Sequence, residues 1–147
     1  MSPRPRYPIY IPSKGRAHTF LTAKCLDRDG VDFRIVVEPS QVEAYKPWGE
    51  HRLLVMPDDG RGLVYARNWI KDHAISEGHA RHWQIDDDIY FFCRVFRGYR
   101  LRTNAGPMFA AAEDFCDRYE NVALASFNSM FFVPVTRGTH QCKIAPF

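Results

Sequence analysis

Three consecutive carboxylates, Asp86-Asp87-Asp88, follow Trp83-Gln84-Ile85 and precede the apolar run Ile89-Tyr90-Phe91-Phe92. Adjacent anions repel one another and resist burial, so a folded chain places them beside apolar segments only with a counter-charge. A divalent cation is the simplest one. If residues 80–85 form a strand, side chains alternate, so Asp86 and Asp88 face one way and Asp87 the other. Two carboxylates with one residue between them, at a strand's end, suit a hard cation that also holds phosphate oxygens. A solvated acidic turn is the competing reading.

Other polar clusters have types suited to ligands. Ser13-Lys14-Gly15-Arg16 follows a short apolar segment. Arg94, Arg97, Arg100 and Arg102 are interleaved with Phe96 and Tyr99. Four cations with interposed rings suit a polyanion, and equally a strand edge kept from pairing by its charge. Pro57-Asp58-Asp59-Gly60 reads as a turn rather than a second metal pair. His79 and His82 lie beyond Gly78, which ends the preceding helix, so they share no helical face and are not read as ligands.

These clusters need elements to hold them. Tyr7–Pro12 reads as a buried strand, followed by a helix capped by Thr19 and running to about Arg28. Phe33–Val37 is a second strand and Ser40–Tyr45 a short helix stopped by Pro47. Arg52–Met56 is a third strand. Leu63–Glu77 is a helix with Leu63, Ala66, Ile70 and Ala74 on one face, closed by Gly78. His82–Ile85 is a fourth strand. Tyr90–Leu101 is ambiguous. Pro107 opens a helix to about Tyr119, with Met108, Ala111, Ala112, Phe115 and Tyr119 inward. Val122–Val133 is strand-like. Alternating strands and helices imply an α/β fold with a mostly parallel sheet and helices on its faces. In such sheets ligands bind beyond the carboxyl ends of the strands. Ser13–Arg16, Glu38, Asp58–Arg61 and Asp86–Asp88 all follow strands and therefore converge on one edge.

The bulk properties set bounds. A chain of 147 residues, 46% hydrophobic and 14% aromatic, forms one domain with a real core. No apolar run approaches 18 residues, so no membrane span or membrane partner is expected. Ile9-Tyr10-Ile11 is too short for a signal-peptide core. Cys25, Cys93, Cys116 and Cys142 have no CxxC spacing, which fits reduced thiols in a cytoplasm better than disulfides or a zinc site. A formal net charge of +3 permits nucleic acid or nucleotide partners without demanding them.

The turn Ile9-Tyr10-Ile11-Pro12-Ser13-Lys14-Gly15-Arg16, the helix segment Gly62…Ala66-Arg67-Asn68 and the triplet Asp86-Asp87-Asp88 together resemble GT-A glycosyltransferases, whose DxD motif the triplet matches. The Ile-Pro-Ser-Lys-Gly-Arg turn further resembles the phage-type glycosyltransferases associated with TET/JBP hydroxylases and with hydroxymethylated pyrimidines in DNA. The resemblance covers roughly residues 8–133. It implies a three-layer α/β/α GT-A fold, Rossmann-like and of the nucleotide-diphospho-sugar transferase type. It also implies a nucleotide-sugar donor of UDP type, and Mn²⁺ or Mg²⁺ held by Asp88 with Asp86 at the metal or the ribose. Asp87 is expected at the core edge or on a backbone donor. Ser13, Lys14 and Arg16 would meet the diphosphate or base, and Glu38 would accept from a uracil N3–H. Arg67 would reach the phosphates or serve as counter-charge to the triplet. Arg94, Arg97, Arg100 and Arg102 would contact an acceptor DNA. Residues 7–90 would then be a nucleotide-sugar-binding half and 91–147 a partial acceptor-side half of a minimal or truncated domain. The location would be the cytoplasm, that of the host for a phage-encoded chain.

No catalytic base is visible. The only acids after Asp88 are Glu113, Asp114, Asp117 and Glu120, all read on the solvent face or at the end of the helix from Pro107. A chain that stops early, a minimal donor-binding core, or a mechanism that retains anomeric configuration and needs no side-chain base would each account for this, and two rivals stand beside glycosyl transfer. One is a nucleotidyltransferase on a related sheet, although its Gly-rich turn after strand one is missing. The other is a non-catalytic nucleotide- or DNA-binding remnant.

Overall fold

A computed structural model describes residues 4–129 of the chain. Contacts separate the chain into two compact units, one of Arg6–Tyr90 and one containing residues from Phe91 onward.

The first unit is built on a four-stranded parallel sheet. β1 (Ile9–Pro12), β2 (Arg34–Val37), β3 (Leu53–Val55) and β4 (Trp83–Gln84) lie in the order β3-β2-β1-β4. Every residue of β1 is buried, as expected of a central strand covered on both faces. Ile11 sits beside Ile35, and Val36 beside Leu54, in a register that splits the side chains between faces. Tyr10 and Val36 point to the face covered by α3 (Gly62–Ser76), where Met56, Ala66, Ile70 and Ala74 close the core. Ile9, Ile11, Ile35 and Val37, on the other face, are equally sealed from solvent.

The strand order determines where a ligand fits. Going from β1 through α1 (Leu21–Arg28) to β2, then through α2 (Val42–Tyr45) to β3, the chain moves steadily in one direction. After β3 it returns by α3 to the opposite edge and lays β4 beside β1. The connections leaving β1 and entering β4 diverge, which makes the carboxyl ends of these two strands the switch point of an open α/β sheet. Their trailing loops are Ser13–Arg16 and Asp86–Asp88.

Several local expectations are corrected. Thr19 does not cap α1: Phe20 holds that position with no side-chain cap, and Thr19 N–H closes a turn onto the Arg16 carbonyl. The short helix begins at Val42 rather than Ser40 and ends at Tyr45 as expected; Pro47 then sits near the start of a 3₁₀ turn, Lys46–Trp48, where a missing N–H costs nothing. Leu63 falls on the stripe of Ala66, Ile70 and Ala74 but is exposed, so the cover over α3 ends one turn short of its start. The fourth strand is shorter than expected, and Ile85 only extends its ladder by donating N–H to the Tyr10 carbonyl. Gly78 does close α3, in the left-handed region at φ +80°.

The second unit holds an antiparallel hairpin of β5 (Phe92–Phe96) and β6 (Tyr99–Thr103), followed by α4 (Ala105–Cys116). The Asn104 Oδ1 caps α4 by accepting from Gly106 N–H at 2.9 Å, so the helix starts ahead of Pro107. Its buried face is Ala105, Phe109, Ala110, Glu113 and Cys116 rather than the expected Met108, Ala111, Ala112, Phe115 and Tyr119. Phe109 decides this by packing edge-on against Phe92 and Phe127. Phe115 and Tyr119 instead pair with each other while partly exposed. Glu113 is therefore buried, not on the solvent face. Residues 122–129 form no strand, and the rest of the strand expected to Val133 lies outside the described residues. Cys25, Cys93 and Cys116 are free thiols, while Cys142 lies outside the described residues. Among the described residues, no helix is long and apolar enough to cross a membrane.

Candidate functional site

The loop after β1 is anchored first by its backbone: Ser13 N–H donates to the Val36 carbonyl at 3.0 Å. Ser13 Oγ then donates to Asp87 Oδ2 and lies 2.6 Å from both that oxygen and the Tyr45 hydroxyl. A serine has one proton, and it goes to the carboxylate, which can only accept. Tyr45 must therefore donate to Ser13, and its oxygen in turn accepts Arg16 N–H at 3.0 Å. A continuous chain of donors runs from the Arg16 backbone through Tyr45 and Ser13 to Asp87. Each bond polarises the next in a mostly buried setting.

Asp87 is thus the inward member of the triplet. Its side chain is 13% exposed, against 62% for Asp86 and 61% for Asp88. Arg16 reaches Asp87 Oδ1 at 3.0 Å and Asp88 Oδ2 at 3.4 Å. Arg67, on α3, reaches Asp86 Oδ1 at 2.6 Å. The Arg67 backbone is held as well, because its carbonyl accepts from the Gln84 side-chain amide at 3.1 Å. Arg67 is thus a counter-charge to Asp86.

Thr22 supplies a clamp that the sequence did not reveal. It is fully buried on α1, its Oγ1 donates to the Asp86 carbonyl at 2.5 Å and accepts Ile89 N–H at 2.8 Å, and its own N–H meets the Asp87 carbonyl at 3.3 Å. One side chain thus brackets the acidic loop at both ends. Tyr45 and Gln41, whose Oε1 accepts Gly15 N–H at 2.9 Å, were also missed. A buried tyrosine and an ordinary helical threonine carry no local signal of such roles.

Glu38, at the end of β2, is only 5% exposed. Its Oε1 accepts Gly60 N–H at 3.0 Å. Lys14 Nζ lies 2.6 Å from Oε2 as an ion pair, yet no hydrogen bond is directed at that buried oxygen. The 57–62 loop is a structured turn, as its sequence implies. Asp59 accepts from both the backbone and hydroxyl of Ser40, which holds its carboxyl below the usual range, and Asp58 accepts from Tyr65. His82 packs edge-on against Tyr10, and its Nε2 sits 3.0 Å from the Gln84 amide.

Among the described residues, no three His, Cys, Asp or Glu side chains converge on a metal position. Asp86 and Asp88 offer solvent-facing hard oxygens, a donor type that could hold a hard cation such as Mg²⁺ or Mn²⁺. Ser13, Lys14, Arg16, Glu38, Arg67, Asp86 and Asp88 all belong to the first unit and follow or face its strand ends. Arg94, Arg97, Arg100 and Arg102 belong to the hairpin of the second unit.

An open parallel sheet whose switch point carries paired acidic and basic loops defines a Rossmann-like α/β protein. The family model of the TET-associated glycosyltransferases matches residues 7–145, and the chain belongs to that family. No curated protein and no solved structure matches the chain.

Proposed function

We propose that this chain is a metal-dependent glycosyltransferase that takes a sugar from a UDP-type donor and places it on a hydroxymethylated base in DNA. The observation that carries the reading is the exposure of Asp86 and Asp88 beside the Ser13–Arg16 turn at the β1/β4 switch point, in a family named for glycosyl transfer.

Electrostatics support a diphosphate with a cation rather than a diphosphate alone. In the ion pairs of this site, Asp86, Asp87, Asp88 and Glu38 face Lys14, Arg16 and Arg67, so carboxylates exceed cations. A polyanionic donor would be repelled there unless further positive charge arrived with it. Asp86 and Asp88 would hold the ion, whose chemistry is to neutralise the diphosphate as it leaves. Arg67 and Arg16, now paired with these carboxylates, are within reach of the same region and would turn to the phosphates as the ion takes over the acids. Ser13 and Tyr45 keep Asp87 occupied inward, so the other two acids stay available. Glu38 Oε2, buried and without a directed hydrogen bond, suits the imide N–H of a uracil, with Lys14 beside a carbonyl of the ring. Arg94, Arg97, Arg100 and Arg102 are assigned to acceptor phosphates.

The test is thermal stabilisation by UDP, CDP, GDP and ADP, each with and without Mn²⁺. A shift that requires the metal and is largest for UDP is the expected result. A shift indifferent to metal overturns the ion site, and no shift with any nucleotide overturns donor binding. Transfer of radiolabelled sugar to hydroxymethylated DNA then separates an enzyme from a binding module. Release of pyrophosphate from a nucleoside triphosphate would favour nucleotidyl transfer.

A further inference from the structure

The β5–β6 hairpin has a built tip. Its cross-strand pairs are Phe92 with Thr103, Arg94 with Leu101, and Phe96 with Tyr99, and directly opposed residues share a face. The root of this face is anchored where Phe92 is buried against Phe109 and Phe127. The tip is left open: Phe96 is 42% exposed, Tyr99 58% and Leu101 40%. The Arg94 and Arg97 guanidinium groups stand 5.5 and 5.2 Å from the Phe96 ring centroid. No acidic residue occurs between Ile89 and Ala112, so this charge is locally unopposed in sequence.

The turn adds an independent observation. Arg97 and Gly98 join the strands with φ of +49° and +78°. Two-residue turns of this kind favour Asn-Gly or Gly-Gly, because a long side chain pays for a left-handed backbone. An arginine is held there, over an exposed ring, at a cost in backbone strain.

We infer that this hairpin tip is a stacking platform for an unpaired DNA base, with Phe96 and Tyr99 against the base and Arg94 and Arg97 on the flanking phosphates. The inference deepens the reading of the chain as acting on DNA: the acceptor is engaged with its base out of the stack, not as intact duplex. Exposed rings gain by covering a base face, and guanidinium groups already stacked on Phe96 can meet phosphates without losing that contact. An intact duplex hides its base faces and offers the tip only phosphates. A base-free polyanion offers the same charge and no stack.

Fluorescence anisotropy of the full chain tests this. The probes are a labelled single strand, the matched duplex, and the same duplex with one unpaired position, titrated over a range of NaCl, with polyglutamate as the base-free competitor. Unpaired DNA should bind more tightly than matched duplex, and polyglutamate should compete poorly. Phe96→Leu combined with Tyr99→Leu should weaken unpaired-DNA binding by about tenfold or more, with the salt dependence unchanged. Arg94→Gln should instead lower the slope of log K against log salt by roughly 0.7, as expected for one phosphate contact on a single strand. Arg97→Gly should weaken DNA binding while leaving the melting temperature equal or higher, since glycine relieves the left-handed backbone. Equal affinity for matched and unpaired DNA overturns the proposal, as does full competition by polyglutamate. So does unchanged binding by the folded double variant. Binding of UDP, read separately by thermal shift, keeps the two readings apart. UDP binding without unpaired-DNA preference overturns this inference alone. Unpaired-DNA preference without nucleotide binding overturns the donor reading alone.

Discussion

Thr22 on α1 and Asp86 after β4, 64 residues apart, are joined by a 2.5 Å hydrogen bond from the threonine hydroxyl to the aspartate carbonyl. The same oxygen accepts Ile89 N–H, so the acidic loop keeps its shape through a residue that contributes no charge. Thr22→Val preserves the side-chain shape and removes both bonds. It leaves a part-buried carbonyl and N–H without this partner, which costs about 1–3 kcal/mol for each group left unpaired. Urea unfolding should show that loss, and metal-dependent UDP binding should weaken with it. Thr22→Ser should restore both measurements most of the way.

Ser13 and Tyr45 form a coupled pair rather than two separate contacts. Tyr45→Phe removes the donor to Ser13 and the acceptor for Arg16 N–H, at about 1 kcal/mol or more for a net hydrogen bond. Ser13→Ala strips Asp87 of its closest donor and should cost more. A double-mutant cycle measured by denaturation should give a coupling of about 0.5–3 kcal/mol, as for neighbours in one network. Strict additivity would contradict the donor chain.

Asp88 is exposed and its ion-pair partner is Arg16 at 3.4 Å, so its removal should barely affect folding. Asp88→Ala should change unfolding stability by no more than about 0.5 kcal/mol, the range of ordinary surface substitutions. It should nevertheless abolish the Mn²⁺-dependent thermal shift with UDP. Intact metal-dependent binding in this variant would remove Asp88 from the site.

Glu38→Gln keeps the size of the side chain and an oxygen for Gly60 N–H, but replaces the second oxygen with an amide donor. A uracil N3–H would then face a donor instead of an acceptor. Preference for UDP over CDP should fall by about tenfold, equivalent to about 1.4 kcal/mol, in a thermal-shift or calorimetric comparison.

Burial pushes the His82 imidazole below its ordinary value, with the nearby His79 as the lesser cause. The geometry agrees: Gln84 Nε2 gives one proton to the Arg67 carbonyl and the other to His82 Nε2, which must then be unprotonated. For a base depressed in the folded state, the unfolded chain takes up its proton first as pH falls below 6.5. Stability is therefore full above that value and declines as pH drops through the interval beneath it. Melting temperatures measured from pH 7.5 to 5 should show this decline, and His82→Gln should flatten it.

Much of this was legible in the residues. Four strand segments, the turn after β1, the closing Gly78 and the acidic triplet follow from β-branched runs, glycine placement and charge, all of which act over a few positions. Errors arose where a distant residue chose the face. Periodicity alone put Phe115 and Tyr119 inward on α4, whereas Phe109 won the interior by meeting Phe92 and Phe127. Glu113 went inside with that rotation.

The sequence by itself determined that strands would alternate with helices and that acids, a Ser-Lys-Gly-Arg turn and Glu38 would end up at strand termini, because local patterning dictates elements and elements dictate which loops share an edge. Only the tertiary structure decided that β4 lies beside β1. It also decided that Asp87 turns inward to Ser13 across 74 positions, and that Thr22 and Tyr45 hold the loops in place. The reason is physical: a hydrogen bond needs its partners within about 3 Å, and nothing in local sequence records which distant donor the folded chain will bring there.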